Sequence, residues 1–312
     1  TSLGGMLSVA ILDFIQMIVV ISGLLFIGWT VSDMTGGINV VIDHARINNK
    51  LDFWPKGDIY NWITFFGVWI TLMLGSIPQQ DVFQRITSAK SAKIAFWGSV
   101  FGASIYFVFT FVPMFIAYSA TLIDPEHFQN IMAFDSQFVL PEFVIKYTHP
   151  FAQIVFFGAV TSAIMSCSSA TLLAPSVTFA ENVIRPLRPN MSDREFLKVM
   201  RICLVVFSGC VLLYALSSNL TIFGMVESAY KITLAGAFTP LVFGIFWKKA
   251  NHHGALAAII FGISSWAGLE IIYGDLLLIP AQLIGLMISM LSMFIVSQLT
   301  QPLSLTLATK KT

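Results

Sequence analysis

Charge is scarce in this sequence. Its 312 residues include 16 acids and 17 bases, 11% of the chain, against about 25% in an ordinary soluble domain. So few charges cannot furnish the polar shell that a soluble protein of this size needs over its exposed surface, which argues against a soluble enzyme. Cysteine is scarce too. Cys167, Cys203 and Cys210 all lie in apolar stretches, where a cysteine serves as a small hydrophobe, and three such residues make no secreted disulfide scaffold. A net charge of +1 without a basic stripe excludes a polyanionic partner, nucleic acid included. No HExxH, Walker A loop or TVGYG-like filter occurs. No histidine cluster suggests a metal, since the adjacent His252 and His253 sit beside Lys248 and Lys249 in a turn.

Apolar residues, by contrast, are abundant: 56% of the chain, with a mean hydropathy of +0.82. A helix crossing the hydrocarbon core needs about 20 of them in a row. Measured this way the chain offers eight candidate spans, Met6–Thr30, Trp62–Leu74, Ile94–Leu122, Phe151–Phe179, Phe196–Leu216, Ile222–Trp247, Gly254–Tyr273 and Leu276–Leu299. The runs are continuous and lack the alternation of barrel strands. The expectation is therefore an all-α, polytopic membrane protein with about eight transmembrane helices.

Basic residues sort these connections into two sets. Arg85, Lys90, Lys93, Arg185, Arg188, Arg194, Lys198, Arg201, Lys248, Lys249, Lys310 and Lys311 fall on one side, and Arg46, Lys50, Lys56 and Lys146 on the other. The richer side is expected to be cytoplasmic, the C-terminus with it, in a plasma or inner membrane. Two long connections lie outside, Ser32–Asn61 and Asp124–Pro150. Within the second, Val139–Tyr147 suits a short helix at the interface or over a vestibule. The chain opens on Thr1 and enters a span at once, without the basic leader of a signal peptide, so it is expected to be the C-terminal part of a longer protein.

Polar features inside the spans narrow the function. The second span runs into Gly75-Ser76-Ile77-Pro78-Gln79-Gln80 and then an amphipathic tail, Asp81–Lys93. Two readings fit. Either the helix ends at Leu74 and Pro78 begins a loop, or this is a broken helix of the kind that marks binding sites in secondary transporters. The fourth span holds Thr161, Ser162, Ser166, Cys167, Ser168, Ser169 and Thr171, with Ser162, Ser166 and Ser169 on one helix face. Such a face serves close helix packing, or offers hard oxygen ligands to a desolvated sodium ion. Ionisable residues within spans default to functional hypotheses. They are Asp13, Glu227, Lys231 and Glu270. Glu227 and Lys231 are spaced to pair along one helix, as a self-neutralised packing pair or as part of a wet cavity. Glu270, near an outer end, reads as structural.

Four stretches in order resemble the sodium:solute symporter family. They are Leu12–Gln16 (LDFIQ), Gly75–Ala92 (GSIPQQDVFQRITSAKSA), Ala163–Arg185 and Phe243–Leu256. A fifth, Ser192–Gly209, resembles that family's high-affinity choline-transporter branch. The resemblance implies a five-plus-five inverted-repeat fold, with sodium and solute bound near mid-membrane between two discontinuous helices. Residues 6–30 would be the last helix of the first repeat, 62–247 the second repeat and 254–299 two additional helices of one transmembrane domain. The first discontinuous helix would be missing, and the chain alone would not transport.

By the same resemblance, sodium is expected at the Ala163 carbonyl and at the side chains of Ser166 and Cys167, with Asp13 on the inner exit path. Cys167 departs from the family's serine or threonine, and soft sulfur suits sodium poorly. The solute positions fall on Leu72, Gly75 and Ser76. These lack the asparagine, tyrosine and tryptophan of the sugar carriers, and Glu227 replaces their sugar-contacting glutamine, which argues against sugar. Glu227 with Lys231 suits an ionic or zwitterionic solute: choline-like, an amino acid or a carboxylate. The function expected is sodium-coupled symport by alternating access, with Na+ as coupling ion and no other cofactor. The alternative is a non-transporting sensor or structural membrane protein that keeps the fold. An intramembrane enzyme would have only Asp13 and Glu227 as candidate catalytic acids, near opposite membrane faces, so no enzyme is expected.

Overall fold

A computed structural model describes residues 5–218 and 220–301. Lys310 and Lys311, counted above among the basic residues, lie outside the described residues. In chain order the helices are α1 (Gly5–Thr35), α2 (Ile38–Ile47), α3 (Ile59–Gly75), α4 (Gln80–Thr87), α5 (Ala92–Phe109), α6 (Phe111–Ile123), α7 (Pro125–Asp135) and α8 (Val139–Tyr147). There follow α9 (Pro150–Phe179), α10 (Arg185–Leu187), α11 (Asp193–Ser217), α12 (Ile222–Thr233), α13 (Thr239–Phe246), α14 (His252–Tyr273) and α15 (Ala281–Leu299). Among the described residues no strand occurs. Seven helices or joined helices are long and apolar enough to cross a membrane, and eight if α3 and α4 count as one broken span.

Local sequence explains where these helices start. Asp58, Ser91, Asp124, Thr221 and Asn251 each accept a backbone N–H with the side chain at a helix N-terminus, satisfying a donor that the helix cannot. Ser192 and Glu195 close a reciprocal capping box at the start of α11. Prolines shape the interiors. Pro113 crowds the carbonyl of Phe109 and has no N–H to offer it, and the long run Ile94–Leu122 divides there into α5 and α6. Two π-helical turns, Ala180–Ile184 and Leu234–Phe238, each end two residues before a proline, Pro186 or Pro240. The carbonyls those rings would strike belong to Asn182 and Gly236, inside the two wide turns, so widening the ladder relieves the clash. The last span begins later than its apolar run. Gly274–Leu276 forms a short 3-10 turn and α15 starts only after Pro280.

The chain divides into two compact units, Thr1–Asp52 with Gln80–Asn219, and Phe53–Gln79 with Leu220–Thr312. In the first, Ile27 and Val31 of α1 pack with Ile116 and Ala120 of α6, Phe128 of α7, Val139, Phe143 and Val144 of α8, and Ala152 and Phe156 of α9. The short helix expected over Val139–Tyr147 is present as α8, and its apolar side closes this core. Asp124 ties it down. It caps α7 and also accepts from the Tyr147 hydroxyl at 2.5 Å and from Lys146 Nζ at 3.1 Å. The Tyr147 hydrogen bond, then that from Lys146, lowers the Asp124 carboxyl to a pKa of about 2, and the same contacts raise Lys146 and Tyr147. In the second unit, Leu234, Phe238 and Leu286 form the core, with Leu74, Val242, Leu283 and Met290 packed on it. Gln282 of α15, buried, donates to Thr71 Oγ1 of α3 at 3.2 Å.

Candidate functional site

In the first unit α1 and α9 pack closely because both present small residues. A Cβ added to Gly23 would stand 3.0 Å from the Cβ of Ala159, so glycine sets the approach at this crossing. Further toward the N-terminus of α1 and the C-terminus of α9, the antiparallel pair brings Asp13 to Ser166. Ser166 Oγ donates to Asp13 Oδ1 at 2.6 Å. Arg85, from α4, donates to the other carboxylate oxygen at 2.8 Å and lies 3.9 Å from Asp81. One turn along α1 from Asp13, Gln16 holds its side-chain oxygen buried without a hydrogen-bond partner.

Asp13 and Ser166 bring a carboxylate and a hydroxyl together, and one helical turn along α1 Gln16 keeps an amide oxygen buried and unpaired. A hard cation binds through oxygens of these kinds, and a buried acceptor without a partner is costly. Ala163 and Ser162 are half-buried on the same side of α9 as Ser166 and Ser169, whereas Cys167 is exposed. The Ser162, Ser166, Ser169 face therefore points into the unit. The thiol belongs to the neighbouring, open side of the helix.

The second unit holds the other expected positions. α3 ends at Gly75 and α4 begins only at Gln80, so the helix is interrupted where Pro78 falls. Gly75 is buried against the backbone of α12, where an added Cβ would be 2.5 Å from the Tyr230 carbonyl oxygen. Thr233 Oγ1 donates to the Gly75 carbonyl at 2.6 Å. The break thus delivers a carbonyl that α12 claims. Ser76 donates to the Met73 carbonyl at 2.9 Å, and Leu72 is half-buried.

On α12, Lys231 does not pair chiefly with Glu227. Its ammonium donates to Glu270 of α14 at 3.0 Å, and Glu227 stands 3.9 Å away. Glu270, read from the sequence as structural, is the nearer partner. Two carboxylates around one ammonium leave a net charge of −1. Glu227 and Lys231 are about a fifth exposed and Glu270 about two fifths, so the cluster is reachable by water.

The structure therefore brings Asp13 to Ser166, and Lys231 to Glu227. Sequence reasoning counted Arg85 only among the topological bases and gave no role to Gln16 or Thr233. Arg85 and Gln16 lie inside the quoted family-like stretches, but nothing local marks their partners. Thr233 carries no sequence signal of its own.

The family model of the sodium:solute symporter family matches residues 1–262. The high affinity choline transporter 1 of Mus musculus is 30% identical over 278 residues, 84% of this chain and 46% of that protein. The high-affinity proline transporter PutP of Bacillus subtilis (strain 168) is 29% identical over 324 residues, 96% of this chain and 63% of that protein. The chain thus spans about half to three fifths of the length of these curated relatives. A solved structure of a Na+-coupled sialic acid symporter, described as substrate-bound, outward-open and revealing a novel Na+ site, superposes with a TM-score of 0.75 at 20% identity, covering 96% of this chain and 64% of the other. That likeness shows the fold.

Proposed function

The chain belongs to the sodium:solute symporter family, and from that premise we propose that the protein carries a small organic solute bearing a positive charge, driven by sodium, through alternating access. Such folds bind substrate and ion where helices are interrupted, and α3 is interrupted after Gly75. The observation that carries the reading is the hydrogen bond between Ser166 and Asp13, with the unpaired oxygen of Gln16 one turn along α1. Sodium would take Ser166 Oγ and the Ala163 carbonyl and leave past Asp13. Cys167 would lend little, since a thiol is a poor ligand for a hard ion.

The solute class follows from Glu227, Lys231 and Glu270. A net charge of −1 on this part-buried cluster repels a free carboxylate and attracts an ammonium. A choline-like cation or a zwitterionic amino acid suits it better than a simple carboxylate. Among the relatives, one is named for choline and one for proline, and the cluster is consistent with both. The alternative of a non-transporting sensor has one observation in its favour, the exposed Cys167 at an expected ligand position.

The experiment is an uptake screen of labelled choline, proline and short carboxylates by cells expressing the intact protein, with sodium present or replaced by potassium. The expected result is sodium-dependent uptake of a cation or zwitterion. Preference for a carboxylate contradicts the solute class, absence of both uptake and sodium binding favours the sensor, and saturable sodium binding excludes it.

A further inference from the structure

The turn between α10 and α11 carries a pocket that neither the ion path nor the solute positions use. It has a volume of about 490 Å³ and is lined by Arg188, Asn190, Glu195 and Lys198 among others. Neighbouring charges are already engaged. Arg185 pairs with Glu181 at 2.8 Å and lies over the Phe196 ring, 5.3 Å from its centre. Glu195 accepts from both Ser192 N and Ser192 Oγ at 2.9 Å within the capping box. Among the described residues, Arg188 and Lys198 form no ion pair. The pocket therefore offers an amide and two cations without a close ion-pair partner, which act at longer range on one carboxylate, Glu195, already held by the helix cap.

Lys198 stands in the second turn of α11, close to the end of a membrane-crossing helix. From it one face of α11 continues through Ile202, Val205, Gly209, Leu212 and Leu216, all exposed. Ile202 to Leu216 is about 21 Å at 1.5 Å per residue, more than the roughly 15 Å of one leaflet's hydrocarbon. Gly209, in the middle, leaves a dip in the ridge, with no atom near the place of a Cβ. A basic, partly polar pocket at the foot of an apolar ridge has the two chemistries of one amphiphile. We propose that this turn holds the phosphate-bearing headgroup of one anionic phospholipid, Arg188 and Lys198 on the phosphate and an acyl chain along the α11 ridge. Arginine matches phosphate oxygens in a bidentate fork, and basic pockets beside transmembrane helices hold acidic headgroups. A topological role for the bases of this turn would require their charge but not a pocket.

The test uses the purified full chain in neutral detergent. Thermal unfolding and native mass spectrometry are followed while short-chain phosphatidylglycerol, phosphatidylcholine or inorganic phosphate is added. The expected result is saturable retention of one phosphatidylglycerol with a raised unfolding temperature, and neither effect from phosphatidylcholine or phosphate. In the Arg188→Gln/Lys198→Gln variant, phosphatidylglycerol binds about thirtyfold more weakly, as the loss of two basic contacts implies. Equal retention of the two lipids by the wild-type chain overturns the proposal, whether or not the variant folds. So does an unchanged affinity in a folded variant, and a phosphate effect equal to that of phosphatidylglycerol replaces the lipid by a free anion.

Discussion

The Ser166 hydroxyl donates to the Asp13 carboxylate at 2.6 Å, joining α9 to α1 across 153 positions of chain. Asp13 also receives Arg85 at 2.8 Å, a guanidinium that Asp81 shares at 3.9 Å. A cation passing here competes with a guanidinium already in place.

Arg85 is accordingly expected to set how tightly Asp13 holds a leaving ion. Arg85→Gln leaves the carboxylate uncompensated, and an opposite charge at close range is worth a few kcal/mol even at an effective dielectric near 20. The half-saturating sodium concentration for uptake by the intact protein should fall, and the maximal rate should fall with it as the ion leaves more slowly. A sodium activation curve unchanged from wild type contradicts this.

Lys231 should depend more on Glu270 than on Glu227, because the first contact is 3.0 Å and the second 3.9 Å. Glu270→Gln should destabilise the protein by about 1 kcal/mol, well below the cost of breaking a fully buried pair, because both groups keep some exposure to water. Glu227→Gln should cost less. Thermal unfolding of the two single variants, and of each combined with Lys231→Gln, measures the two couplings. A larger coupling to Glu227 would reverse the assignment.

Gly75→Ala places a methyl 2.5 Å from the Tyr230 carbonyl oxygen. Backbone cannot move aside as a flexible side chain can, so α12 must shift and strain the hydrogen bond from Thr233. The cost expected from overpacking is about 1–3 kcal/mol, read as a lower unfolding temperature. An unchanged temperature would show that the two helices are not in contact at this point.

Asp124 makes the stability of the α7–α8 cap depend on pH. Its pKa is lowered from 3.8 to about 2 by Tyr147 and then Lys146. A depressed carboxyl stabilises the folded form above its unfolded pKa, and that contribution is lost as pH falls through the folded value. Protection of the α8 amides from hydrogen exchange should therefore hold above pH 4 and decline toward pH 2. In Asp124→Asn the protection should be lower at neutral pH and its decline with acid shallower. A variant with the same acid profile as wild type would remove Asp124 from the cap.

Much of this architecture was legible in the sequence because it is written locally. Continuous apolar runs mark the spans and the mixed stretch Val139–Tyr147 forms α8, while Gly75–Gln80 read equally as a broken helix or as a helix end. What escaped was the pairing of distant residues. Lys231 has Glu227 four residues away and Glu270 39 away, and spacing along one helix can reveal only the first. Arg85 lies inside a stretch recognisable as a family signature, but its partner, Asp13, is 72 residues distant. Ser166 and Asp13 each stood out alone. Their contact needs α1 and α9 to run close together, as they also do where Gly23 meets Ala159, which no local pattern announces.

The most direct test is a sodium titration of solute uptake by the intact protein, wild type against Ser166→Ala. The account predicts uptake that requires sodium, and in the variant either loss of uptake or a half-saturating sodium concentration raised about tenfold, the equivalent of one lost contact worth roughly 1.4 kcal/mol. Uptake that persists without sodium, or a Ser166→Ala variant with the sodium dependence of wild type, contradicts it.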